Sequence, residues 1–133
     1  MKRYLLDTNI ASHLMRGDIP GLRERFVLVP THSVAISIIS RAELLFGLAK
    51  RGYPPRLAGK VHGFLGDIET LPWMEKEADA YAELRAACQA RGVTLSDMDM
   101  MIAAQAKASG LILVSRDKAF TRVEGLQVED WTV

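Results

Sequence analysis

The stretch Arg3-Tyr4-Leu5-Leu6-Asp7-Thr8-Asn9-Ile10 decides how this chain is read. A short apolar run stops at an acid, and Asp7-Thr8-Asn9 opens a helical pattern that continues to about Arg16. The order implies a strand passing directly into a helix, with Asp7 at the strand's carboxyl end. The same alternation continues along the chain. After a break at Gly17-Asp18-Ile19-Pro20, Gly21 to Leu28 reads as a short helical segment and Val34 to Ile38 as the second strand. A helix from Ser40 to Arg51 is stopped by Gly52 and the Pro54-Pro55 pair. Pro55 starts another, with Leu57, Val61, Phe64, Leu65 and Ile68 at helical spacing. Glu69 to Leu71 reads as a short strand, and Glu75 to Arg91 and Asp97 to Ser109 as helices closed by Gly92 and Gly110. Leu111 to Val114 and Leu126 to Glu129 are the last strands. Short apolar runs alternating with helical patterns predict an α/β fold, with a central, mostly parallel sheet of four to five strands flanked by helices. Neither a linker nor a repeat divides the chain, so residues 1–133 are expected to form one domain.

Bulk properties narrow the function classes. A formal net charge of +1 gives no global positive field, so any polyanion must be held by a local basic surface. Cys88 is the only cysteine, which excludes an internal disulfide and a cysteine-based zinc site and suits a reducing cytoplasm. Asp7 interrupts the N-terminal apolar run too early for a signal peptide, and no uncharged apolar run is long enough to span a bilayer. His13, His32 and His62 are isolated and lack a metal-binding spacing. Ser-His-Asp and Cys-His arrangements are missing, as is a Walker loop.

Four acids remain: Asp7, Glu43, Asp99 and Asp117, each beside an apolar stretch that carries it toward one edge of a sheet. Each has an ordinary reading. Ser40-Arg41-Ala42-Glu43 and Ser96-Asp97-Met98-Asp99 match the capping box, Asp7 could cap its helix, and Asp117 could be a turn residue. Gathered together, carboxylates repel one another unless a cation lies between them, and hard oxygen donors favour magnesium or manganese. Asp97 is excluded, because two residues from Asp99 it faces about 200° away on the helix.

In order and spacing, several motifs resemble the PIN domain. They are Leu5-Leu6-Asp7-Thr8-Asn9-Ile10, Ala42-Glu43-Leu44 with Gly47, Asp99-Met100-Met101-Ile102-Ala103-Ala104, and Val114-Ser115-Arg116-Asp117 with Phe120. The closing Gly125-Leu126-Gln127-Val128-Glu129-Asp130-Trp131 is similar to the ending of VapC toxins of bacterial toxin–antitoxin pairs. The resemblance implies a single PIN-like domain acting as an endoribonuclease with Mg2+ (Mn2+ as substitute), cutting structured RNA such as tRNA to leave a 5′-phosphate and a 3′-hydroxyl. It implies that Asp7, Glu43, Asp99 and Asp117 are catalytic and metal-binding, that Ser115 orients water or phosphate, and that Asn9 supports Asp7. Arg116 and Lys118, flanking Asp117, are the preferred phosphate contacts. The implied partners are a cognate VapB-type antitoxin that wraps the toxin and obstructs its acidic pocket, and a second copy in a homodimer. Leu44, Leu45, Leu48, Leu57, Val61, Phe64 and Leu65 are read as a surplus apolar face for such a partner. Three alternatives are a PIN-like nuclease of RNA maturation, one acting on DNA, and a non-catalytic module whose acids only cap helices. A dehalogenase-type phosphatase would want an aspartate where Asn9 stands.

Overall fold

The computed structural model describes all residues from Met1 to Val133. Five strands form one sheet: β1 (Tyr4–Leu6), β2 (Val34–Ser37), β3 (Glu69–Leu71), β4 (Ile112–Val114) and β5 (Val128–Glu129). Their order is β3-β2-β1-β4-β5, and all four neighbouring pairs are parallel. The helices are α1 (Thr8–Arg16), α2 (Leu22–Val27), α3 (Ile38–Lys50), α4 (Pro55–Asp67), α5 (Glu75–Ala90) and α6 (Asp97–Ala108). Short 3₁₀ turns at Thr31–Ser33 and Lys118–Arg122 add to the predicted elements. None of the helices is long and apolar enough to cross a membrane.

Apolar alternation within the strands covers both faces of the sheet, as a parallel sheet clad by helices requires. Leu6, Val34, Ile36 and Val114 point into a core shared with Ile10, Leu14, Leu48 and Val61, so α1, α3 and α4 cover that face. Leu5, Ala35 and Leu113 point the other way, against Leu84 and Cys88 of α5 and Ile102, Ala103 and Ala106 of α6. Cys88 is a buried free thiol. Trp131 closes the first core, its ring edge-to-face with Tyr4 at 5.1 Å and its Nε1 donating to Glu129 at 2.9 Å.

The chain winds from β1 through β2 to β3 on one side, then returns to β4 and β5 on the other. Strand order therefore reverses beside β1, and the carboxyl ends of β1 and β4 flank the crevice where open parallel sheets place their sites. Asp7 follows β1 directly and Ser115 follows β4 directly. The backbone amide of Asp7 donates to the Val114 carbonyl at 3.0 Å, so the two strand ends are joined at that crevice.

Two boundaries depart from expectation by two residues: β5 begins at Val128 and not at Leu126, and α3 begins before Ser40. Helix α3 begins at Ile38, without the intervening residues that a start at Ser40 requires. Its cap is Ser37, whose hydroxyl accepts from the Ile39 amide at 3.0 Å. Ser40 is thus one turn inside the helix and fully buried, and the Ser40–Glu43 capping box does not form. Ser37→Ala is expected to cost about 1 kcal/mol of stability in urea denaturation, whereas a capping role for Ser40 would leave Ser37→Ala neutral.

Candidate active site

Asp7 is the anchor of the site. Its side chain caps α1, with Oδ1 accepting from the Ile10 amide at 2.7 Å, and the residue is only 4% exposed. Burial is the main force that pushes its carboxyl up to about 6; the negative charges of Asp99 and Asp117 push the same way, while the Ser115 hydroxyl and the Ile10 amide oppose them. Asp7, Asp99, Asp117 and Ser115 therefore share one neighbourhood at the β1–β4 crevice.

Asp99 stands in the first turn of α6, capped by Ser96, whose hydroxyl accepts from the Asp99 amide at 3.2 Å. Only that half of the predicted capping box is present: the Asp99 side chain makes no bond back to the Ser96 amide, so its carboxylate is free for the crevice. Its proton affinity is raised by burial and then by Asp117, with Ser96 opposing. Asp117 is exposed at the rim and accepts through Oδ1 from the Ala119 amide at 2.9 Å, while its own amide donates to Ser115 Oγ at 3.0 Å. Ser115 itself is buried.

Glu43 joins differently. One of its oxygens, Oε1, lies 2.5 Å from Thr8 Oγ1, and Thr8 is the residue next to Asp7. Glu43 thus reaches the site through a neighbour of Asp7 and is not among the charges that raise Asp7 itself. Asn9 is exposed and makes no hydrogen bond to Asp7; with Thr8, Ser12 and Glu43 it lines a groove of about 210 Å³ between α1, α3 and α4. Support for Asp7 comes instead from Ser115 and the Ile10 amide. Thr8 is the residue that sequence reasoning passed over, although it stood in full view within Asp7-Thr8-Asn9.

None of the four acids is ion-paired, whereas Asp18, Glu69, Asp97, Glu124 and Glu129 all have basic partners. Asp97 pairs with Arg85 at 3.5 Å, outside the site as its helical phase predicts. Arg116 and Lys118 are exposed on either side of Asp117. Of the apolar residues read as a surplus face, Leu44, Leu48, Val61 and Leu65 are buried in the core; Leu45, Leu57 and Phe64 are only partly buried against it.

The PIN domain family matches residues 4–126. The tRNA(fMet)-specific endonuclease VapC of Shigella flexneri is 33% identical over 133 residues, spanning 99% of this chain and all of that protein. The chain belongs to the VapC family of PIN-domain ribonucleases. Ribonuclease VapC2 of Haemophilus influenzae is likewise 33% identical over 132 residues, 98% of this chain and 99% of its own. Among solved structures, a chain of the DNA-bound VapBC from Salmonella typhimurium superposes with a TM-score of 0.91 at 32% identity, over 98% of this chain and 99% of that one.

Membership of the VapC family gives the acidic crevice a physical reason. PIN-domain nucleases work with divalent metal, and the donors here are hard carboxylate oxygens on an unneutralised, partly buried cluster. No three acidic side chains stand close enough to enclose an ion as they are placed. In donor chemistry, hard carboxylate oxygens suit a divalent cation that prefers oxygen ligands.

Proposed function

We propose that this VapC-family chain is a Mg2+-dependent endoribonuclease toxin, with Mn2+ as a substitute, that cuts structured RNA of the tRNA class and is neutralised by a cognate VapB-type antitoxin in the cytoplasm. The observation that carries this reading is that Asp99 and Asp117 both act by charge on the buried Asp7 at the carboxyl end of β1, while none of the three forms an ion pair. Asp7, Asp99 and Asp117 would hold the metal, and Glu43 would complete the set from beside Thr8. A bound cation would supply positive charge at the scissile phosphate, acidify the attacking water and stabilise the negative charge on the departing oxygen. Asp7 is fixed by the Ile10 amide, so its position is determined before substrate arrives. Ser115, whose hydroxyl lowers the proton affinity of Asp7, would orient the phosphate or water, while Arg116 and Lys118 would bind the RNA backbone. The products are a 5′-phosphate and a 3′-hydroxyl.

This reading is tested by mapping RNA 5′ ends after brief induction of the protein. New monophosphate ends at one position in one class of structured RNA are expected, and their absence with purified protein and Mg2+ would refute it. Co-expression with the neighbouring antitoxin gene is expected to remove both toxicity and cleavage.

A homodimer is supported by α3. Ile38, Ala42, Phe46 and Ala49 are all exposed and fall on one helical face, with Phe46 66% exposed. An apolar stripe of this kind on a small domain is better satisfied by a second copy than by water. Phe46→Glu is expected to convert a dimer into a monomer in analytical ultracentrifugation while RNA cleavage persists. A wild-type chain that is monomeric across micromolar concentrations would contradict the assignment.

A further inference from the structure

Glu43 is the one site acid that is not fixed by a backbone amide or placed against Asp7. Its position rests on a side-chain chain of hydroxyls. Thr8 Oγ1 lies 2.5 Å from Glu43 Oε1 and 2.9 Å from Ser40 Oγ. A threonine hydroxyl has one proton to give and lone pairs to receive another. The ionised carboxylate is the stronger acceptor and the closer partner, so Thr8 donates to Glu43 and Ser40 donates to Thr8. Ser40 is fully buried in α3, where an unpartnered hydroxyl would be costly, and Thr8 is the side chain that satisfies it. The two contacts bridge 35 and 32 residues of sequence, so they tie the start of α1 to α3 beside the groove that Thr8 and Glu43 line.

We propose that Thr8, backed by Ser40, is a positioning residue for Glu43. Its hydroxyl immobilises one carboxylate oxygen beside the Asp7 end of the site and leaves the other for the metal. This rests on the nuclease reading given above, because only there does the orientation of Glu43 matter. A hydroxyl suits this role because it holds the carboxylate without a positive charge that would compete with the cation. An arginine or lysine in its place would neutralise Glu43 outright.

The test compares Thr8→Val, which keeps the shape and removes the proton, with Thr8→Ser, which restores it. Mn2+ affinity is measured by calorimetry on the metal-free protein, and kcat and KM for RNA are measured separately. Thr8→Val is expected to weaken Mn2+ binding and lower kcat by about 10–100-fold, the range for outer-shell support of a metal ligand, with KM for RNA little changed. Thr8→Ser should recover most of both losses, and Ser40→Ala should produce a smaller fall of the same kind. Wild-type Mn2+ affinity in Thr8→Val, or equal impairment in Thr8→Ser, would overturn the proposal. Should Thr8→Val fail to fold by circular dichroism, Thr8→Ala carries the same reading, and Ser40→Ala the smaller one. A wild-type chain that neither binds Mn2+ nor cuts RNA would instead refute the nuclease reading itself.

Discussion

Asp7→Asn is expected to abolish metal-dependent RNA cleavage, by at least about 10³-fold, and to make the metal-free protein more stable. Opposite signs follow from one cause. Asparagine caps a helix about as well as aspartate, so the bond from the Ile10 amide survives the change. What disappears is a buried negative charge whose cost has raised the carboxyl to about 6. The difference from an ordinary aspartate corresponds to on the order of 3 kcal/mol at pH above 7, part of which the neutral amide recovers, less the cost of burying its NH2 group. Denaturant titration at pH 7.5 in chelator, beside an RNA cleavage assay in Mg2+, measures both effects. A destabilised variant would mean that Asp7 serves the fold, and an active one would remove it from the metal site.

The second large effect is the coupling of pH to metal. Asp7 has a higher proton affinity folded than unfolded, so its contribution to stability is full below about pH 4 and declines as pH rises through about 6. Between pH 5 and 7.5 the metal-free chain should lose on the order of 1.5 kcal/mol from Asp7 alone, and Asp99, raised in the same direction, adds to the loss. Mn2+ favours the charged form and should reverse the trend. At one hundred times its dissociation constant it stabilises by about 2.7 kcal/mol, and because binding improves as the acids ionise, the gain is larger at pH 7.5 than at pH 5. Thermal melts at the two pH values, with and without Mn2+, measure this crossing. Equal stabilisation at both would detach the cation from these acids.

Much of this was legible in the sequence because the physical signals were local. Tyr4-Leu5-Leu6 ending at Asp7 is an apolar strand meeting a helix cap, and the structure has both features. The alternation of runs and helices was enough to predict a parallel sheet, and its reversal beside β1 accounts for why Asp7 and Ser115 meet. Glu43 was less legible. Ser-x-x-Glu is a local pattern, but Ser37 takes the capping role three residues earlier, because β2 runs into α3 without a loop. That shift buries Ser40 and aims it at Thr8, a contact that spans 32 residues and has no local signature. Asn9 illustrates the converse: its place in the motif suggested support for Asp7, yet as the second residue of α1 it turns toward the groove and solvent. The apolar residues of α3 and α4 could be counted from sequence, but only packing could separate the buried Leu44 and Leu48 from the exposed Phe46.

The most direct test of the acidic site is a crystal of the metal-free protein soaked in Mn2+, with anomalous scattering measured at the manganese edge. A peak is expected at the carboxyl ends of β1 and β4, within coordination distance of Asp7 and Asp99 and with Asp117 or Glu43 drawn toward it. Well-diffracting crystals at saturating Mn2+ with no peak there, or with manganese bound only elsewhere, would contradict the assignment.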